Sequence, residues 1–450
     1  MSKYQGIELN DKNIADILMS KHRFYCNVND PNATLYIYED GVWKGEQITR
    51  NILLHELSIM HEDATKRNTM NLERPLTWIR GQAMESTIPD KPPELIPFKN
   101  GFLVLKPTLV KCPTMSWEFK PMDMMELSGR YFYTNQIPWE YNADAKCPNF
   151  EKFISEVIKP EDIPLVQEMI GYCFYTHYSE PVFFVLTGKS GNGKTVLMTL
   201  LCDLLGNENT TSETMYNIVH NRFSAAELYR KLACITDDLG NEVINNTGML
   251  KMLTGSSRIT AENKFGKPFS FTSYAKLIFA SNEPPEIIDP SEAIKNRIRV
   301  IEFPNVFKKE PNLEKGERPA KERKQLLAEL ESEMPGIIVW AIQGLKRLID
   351  NDFRFSSSKS TDEMWELYRR KANPVAAFVQ ECLKYTGNEE LHYSKEELYE
   401  KFKEYCLQKE IKSDISYIEF CGKLIDEGIK SRQLDRYNKQ HLIIGYELCL

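Results

Sequence analysis

No stretch of this sequence is long and apolar enough to span a bilayer; the longest apolar runs, 181–186 and 196–205, fall short of the roughly 20 residues a membrane helix needs. The first residues carry neither the apolar centre of a signal peptide nor an Arg/Ser-rich transit pattern, so the cytoplasm is the expected compartment. The ten cysteines are scattered singly, with no CxxC pair and no Cys/His spacing for zinc, which leaves buried thiols in a reducing environment as the simplest reading. Internal repeats and low-complexity tracts are missing as well. So is any excess of positive charge: the formal net charge is -7, which excludes a surface coated with basic residues but not a basic groove.

What is present is a globular composition. Hydrophobic residues make up 42% and charged residues 27% of 450, ample for a sizeable core and more than one core usually serves, so two or three domains are expected. Residues 1–145 mix helix-like stretches (11–23, 48–67) with shorter strand-like ones (34–38, 101–105), and no catalytic constellation stands out there. From 149 to 178 the spacing of Phe150, Phe153, Ile154 and Val157, then Val166, Met169, Ile170 and Cys173, predicts two amphipathic helices. Four apolar strand-like runs follow at 182–186, 232–236, 277–280 and 298–303; strands spaced by helices predict a largely parallel α/β sheet. The Lys- and Glu-rich segment 308–324 reads as a solvated loop that closes this core. A helix is expected over 326–349 and a linker over 356–361. A small domain then begins near Pro374. In it Ser394 and Glu397 form a capping box, a second helix spans 417–427 and Gly428 ends it, and 430–446 resembles a hairpin bearing Arg432, Arg436 and Lys439.

The chemistry concentrates in the middle. Gly188, Lys189, Ser190, Gly191, Asn192, Gly193, Lys194 and Thr195 fit GxxxxGK[ST] between an apolar strand and an amphipathic helix. Glycines there let backbone N–H groups converge on a β-phosphate at a helix N-terminus; Lys194 neutralises the β/γ oxygens and Thr195 offers its hydroxyl to Mg²⁺. The next strand ends in Asp237 and Asp238, suited to the metal shell and to activating a water, with the two roles exchangeable. A third strand ends at Asn282, which either orients that water and senses the γ-phosphate or is simply a turn residue before two prolines. Between them, Arg258, Lys264, Lys267 and Lys276 set positive charge against Glu262 alone on a hairpin-like segment whose Phe265 suits contact with a sugar or base, an arrangement fit for a phosphate backbone but also for a solvated turn. Arg297 enters the last strand, either as a cation reaching a neighbour's triphosphate or as one paired locally.

In this order the segments resemble the superfamily 3 helicases, especially the helicase part of phage, plasmid and large-DNA-virus primase-helicases. The phosphate loop, the acidic pair, the pore-hairpin motif from Leu253 to Lys264 and the sensor motif from Lys276 to Asn282 correspond, and Arg297 falls at that family's arginine finger. Upstream, Asn100 and Gly101, and then Pro148, lie in stretches similar to the family's leader region, and 372–378 is similar to the entry to its C-terminal winged helix. Many relatives carry Glu where Asp238 stands, and Ser257 occupies a position where Asp often follows the pore-motif glycine. No primase signature precedes residue 145.

The resemblance implies an AAA+-like P-loop ATPase core over 146–355, with a mostly helical N-terminal region over 1–145 and a winged-helix-like domain over 356–450. It further implies ATP and Mg²⁺ as cofactors, a homo-hexameric ring on single-stranded DNA gripped by Lys264, Phe265 and Lys267, and a separate primase or replication initiator as partner; for a viral chain the compartment is the host cytoplasm. Two other readings compete: an oligomeric P-loop ATPase that packages or remodels nucleic acid without unwinding it, and a DNA-binding regulator switched by nucleotide.

Overall fold

Asn10 starts the first helix, α1 (Asp11–Lys21), by accepting a hydrogen bond from the Asn13 backbone N–H, and the helix turns Ile14, Ala15 and Leu18 inward. The computed structural model of the protein describes residues 10–27, 34–61, 73–85, 88–107, 115–120, 130–237, 248–255, 257–264, 266–282, 292–409, 411, 413–429, 431–433 and 441–449. After α1 come β1 (Arg23–Asn27), β2 (Leu35–Glu39), β3 (Val42–Lys44), α2 (Glu46–His61), α3 (Glu73–Ala83) and β4 (Met84–Glu85), with the sheet ordered β3-β2-β1-β4. A second sheet, β5-β6-β7, is built from β5 (Leu95–Phe98), β6 (Gly101–Pro107) and β7 (Met115–Lys120).

The expectation of a mostly helical region over 1–145 is therefore corrected to a mixed one, with seven strands beside three helices among its described residues. The strands are short and rich in aromatic and branched side chains. Those of β2 are buried on both faces from Leu35 to Tyr38, which removes the period-two alternation that announces a strand.

The two predicted helices leading into the core are α4 (Pro148–Val157) and α5 (Ile163–Cys173). The core itself runs β8 (Phe183–Thr187), α6 (Lys194–Leu205), β9 (Thr210–Thr211), β10 (Ala233–Thr236), the antiparallel hairpin β11 (Arg258–Glu262) and β12 (Pro268–Thr272), then β13 (Lys276–Ser281) and β14 (Ile298–Glu302). Five of these strands form one sheet, ordered β14-β8-β13-β10-β9 and parallel at every pairing. Its strands read as continuous apolar runs because both faces are covered.

A short pair, β15 (Phe307–Lys308) and β16 (Arg318–Pro319), follows, and then α7 (Arg323–Glu331) and α8 (Met334–Asp350). The single helix expected over 326–349 is thus two, broken at Ser332 and Glu333, with Pro335 in the first turn of α8 where no backbone donor is missed. Helices α5 and α8 meet backbone to backbone. A Cβ on Gly171 would stand 2.3 Å from the Ala341 carbonyl oxygen, and one on Gly344 would stand 2.4 Å from that of Gln167. Beside this contact the buried Glu168 carboxylate accepts bonds from Arg347 Nε at 2.7 Å and from the Ser356 N–H at 2.8 Å, so its charge is paired and bonded.

The chain divides into two compact units at Ser358. The second begins with α9 (Lys359–Ala372), so half of the expected linker is helix and the unit starts before Pro374. It continues with α10 (Pro374–Cys382), β17 (Leu383–Tyr385), β18 (His392–Ser394), α11 (Lys395–Gln408), α12 (Tyr417–Asp426), β19 (Ser431–Gln433), β20 (His441–Ile444) and β21 (Tyr446–Leu448). Capping boxes open both α11, at Ser394 and Glu397, and α12, at Ser416 and Glu419. Phe378, Phe402, Tyr405 and Phe420 form its core. Strands β19 and β20 pair as the expected hairpin, whose Arg436 and Lys439 lie outside the described residues.

Candidate nucleotide site

Strand β8 ends at Thr187, and the chain must turn sharply before α6 can start. Three glycines make the turn with positive φ: Gly188 at 139°, Gly191 at 80° and Gly193 at 97°. Space forbids substitution too, since a Cβ on Gly188 would lie 2.3 Å from Asn192 Nδ2 and one on Gly193 would lie 2.9 Å from Val157 Cγ1. Asn192 Nδ2 donates to the Phe303 carbonyl at 3.2 Å, and the Phe303 N–H donates to Thr187 O at 2.8 Å, which tie the loop to the chain leaving β14. The loop shape is set by the protein, as a preorganised anion cradle requires.

Lys194, the first residue of α6, turns back into this loop. Its Nζ donates to the carbonyl of Gly188, to that of Lys189 at 3.2 Å and to Asn192 Oδ1 at 3.2 Å, and burial pushes its pKa below the ordinary lysine value. A cavity of about 470 Å³ opens here, lined by Ser190 through Thr195 together with Asp237 and Asn282. Sheet order explains the meeting: β13 lies between β8 and β10, so Asn282 emerges between the phosphate loop and Asp237 at the carboxyl ends of three neighbouring parallel strands. Asp238 and Phe265 lie outside the described residues.

Arg297 is not part of this cavity. Its carbonyl accepts from the Phe183 N–H at 2.8 Å, at the opposite end of β8 from the loop, and a five-residue strand separates them by roughly 16 Å. Lys264 and Lys267 are exposed at the turn of the β11–β12 hairpin, whereas Arg258 is exposed at its base with Nη2 3.4 Å from the Ser270 carbonyl.

Lys276 requires correction, because it is not part of the basic hairpin. It opens β13 with 0% exposure, and its Nζ donates to the carbonyls of Tyr175 at 2.8 Å, His177 at 3.2 Å and Tyr274 at 2.7 Å. The rings of Tyr172 and Tyr178 stand 4.3 and 4.6 Å from it. Burial pushes its pKa down to about 7, while three acceptors and two π faces match the three donors and the charge of an ammonium. Lys276 is thus a structural cation under the sheet. Lys276→Met, of similar length, leaves three interior carbonyls without their donor and is expected to cost about 3–5 kcal/mol. A large fall in the urea midpoint of the first unit's transition checks this; an unchanged midpoint contradicts it.

Sequence reasoning missed the outer walls of the cavity: Phe153 and Val157 from α4, and Phe307, Pro319, Arg323 and Leu326 from the segment after β14. The latter lie in or beside the stretch read as a solvated loop. No spacing rule links them to the phosphate loop, because the chain returns to it only through tertiary contact.

Comparison with known proteins bears on the same residues. Residues 15–159 match the "D5 N terminal like" family, and residues 186–297, from the end of β8 to Arg297, match a family of unknown function, DUF5906. The chain is 23% identical over 352 residues to "Putative helicase L207/L206" of Acanthamoeba polyphaga mimivirus, a match over 67% of this chain and 35% of the relative. It is 20% identical over 364 residues to "Putative helicase 121R" of Invertebrate iridescent virus 3, covering 76% of this chain and 37% of the relative. The chain resembles the helicase part of viral primase-helicases. It spans about a third of the length of these curated relatives. Among solved structures, the A form apo structure of the NrS-1 C terminal region is 14% identical, with 98% of this chain and 100% of that one covered and a TM-score of 0.47. Another apo structure of that region is 13% identical with a TM-score of 0.45 and covers the same shares. No described helix is long and apolar enough to cross a membrane.

Proposed function

We propose that this chain is the ATPase motor of a DNA helicase. The observation that carries the reading is the single cavity in which the phosphate loop, Asp237 and Asn282 converge from three adjacent strand tips. The residues present fit ATP and Mg²⁺. The loop from Gly188 to Lys194 holds the phosphates, and Lys194 neutralises the β/γ oxygens. Thr195 and Asp237, with Asp238, hold Mg²⁺, which suits an ion that keeps waters and phosphate oxygens rather than demanding a full protein cage. Asn282 orients the attacking water against the γ-phosphate. Bound Mg²⁺ supplies charge stabilisation to the transferring phosphoryl group.

In this reading the core is AAA+-like and of superfamily 3, and it works as a homo-hexameric ring with each nucleotide between two subunits. Arg297, remote from its own loop, completes the neighbour's site. The β11–β12 hairpin with Lys264, Phe265 and Lys267 grips single-stranded DNA, and the second unit, whose helices precede a β19–β20 hairpin, serves as a winged-helix-like module. A primase or initiator acts beside it in the cytoplasm, of the host cell where the chain is viral. The names of the two viral relatives support the helicase reading over a packaging ATPase.

Turnover measured with and without single-stranded DNA, beside strand displacement and a mass measurement, tests the proposal. Turnover that DNA does not stimulate, with no displacement, sinks it. Lys264→Ala removes one exposed charge per hairpin and leaves the phosphate loop intact. DNA-free turnover is expected to persist while unwinding and DNA stimulation fail, and residual DNA binding should show a shallower salt dependence without altered sequence preference. Unwinding at the wild-type rate would contradict the hairpin's role.

A further inference from the structure

The segment after β14 is held against the phosphate loop. The Phe307 N–H donates to the Gly191 carbonyl at 2.8 Å, and Asn305 Nδ2 donates to the Glu156 carbonyl of α4 at 2.8 Å. The Ala320 N–H then donates to the Lys308 carbonyl at 2.9 Å, and three residues later α7 begins at Arg323. This arm closes one side of the nucleotide cavity and brings the first turn of α7 to its wall.

Arg323 is exposed in that cavity, and its Nη2 lies 3.3 Å from Thr199 Oγ1, one helical turn along α6 from Thr195. Neighbouring cations have carboxylate partners: Lys321 bonds Glu329 and Lys152 lies 3.9 Å from Glu156. Among the described residues Arg323 makes no ion pair. Its position is also electrostatically uphill. The first turn of α7 holds Arg323 and Lys324 with no acid, so two positive side chains sit at the positive end of the helix, offset there by the single carboxylate of the N-cap residue Glu322. An anion in the cavity relieves that repulsion, and a guanidinium offers planar donors matched to phosphate oxygens.

We infer that Arg323 grips the phosphate chain of the nucleotide bound to its own subunit, as a second cation facing Lys194 across the cavity. The inference rests on the ATPase reading and adds a ligand in cis to the arginine supplied in trans. It also assigns the arm from Phe307 to Arg323 as the element that carries this ligand to the loop.

Two variants and one mixture test it. Isothermal titration of ADP and of a non-hydrolysable ATP analogue, each with Mg²⁺, should show Arg323→Ala binding at least one of them about 10-fold or more weakly, with Arg323→Lys recovering part of the loss. The difference between the two losses identifies the phosphate that is gripped. At a nucleotide concentration too low for Arg323→Ala to turn over alone, its mixture with Lys194→Ala protein should recover no turnover, since both lesions fall in one site; the Arg297→Ala mixture serves as the control that recovers. Unchanged affinity for both nucleotides, or recovered turnover in the Arg323→Ala mixture, overturns the inference. Wild-type protein that binds neither nucleotide would sink the ATPase reading itself.

Discussion

Lys194→Ala is expected to remove nucleotide hydrolysis, with a loss on the order of 10²–10³-fold or more, the scale of deleting a preorganised donor from a water-poor site. The Lys194 ammonium is held inside the loop by two carbonyls and Asn192 and is already desolvated enough to lower its pKa, so it meets an incoming triphosphate by exchanging these acceptors for phosphate oxygens without leaving the loop. The fold should survive, because the three glycines and the bonds from Asn192 and Phe303 hold the loop without Lys194. Steady-state turnover beside a thermal melt checks both halves. A variant that turns over at the wild-type rate would mean that the phosphate chain lies elsewhere.

Arg297→Ala is expected to have an effect at least as large. An arginine that stabilises the transferring phosphoryl group from a neighbouring subunit contributes about 10³–10⁵-fold in rate, and its removal is expected to stop turnover while leaving nucleotide affinity within a few-fold. The geometry behind this is the sheet itself: Arg297 meets the start of β8 and the phosphate loop follows its end, so one subunit cannot bring the two together. A mixture of Arg297→Ala and Lys194→Ala protein should regain turnover at roughly a quarter of its interfaces, where an intact loop meets an intact arginine. A mixture as inactive as either variant alone, with subunit exchange demonstrated by mass, would rule out action in trans.

Much of the candidate site is legible in the sequence because it is local. A phosphate loop needs its glycines, lysine and threonine within one strand-to-helix turn, and Asp237 and Asn282 each follow directly on an apolar strand whose character is plain. Consecutive strands in a parallel sheet present their carboxyl ends together, so the convergence followed from pattern and connectivity. The N-terminal region was less readable. Its strands are brief, and the burial of both faces of β2 removed the alternation that marks a strand, while α1 kept its helical period.

Lys276 and Arg323 mark the boundary most sharply. In sequence Lys276 is one more cation of a basic hairpin, and Arg323 one more in a Lys- and Glu-rich stretch that reads as solvent-facing. Only the fold closes Tyr172, Tyr175, His177, Tyr178 and Tyr274 around the first, and only the path of the arm from Gly191 to α7 carries the second to the cavity. The sequence by itself determined the glycine-rich strand-to-helix turn and the parallel sheet, because backbone conformation and hydrophobic period are short-range properties of the chain. The tertiary structure alone decided which charges are buried, which line the candidate cavity and which end of the sheet Arg297 occupies. A side chain's charge acts through neighbours brought from distant parts of the chain, and no local pattern encodes them.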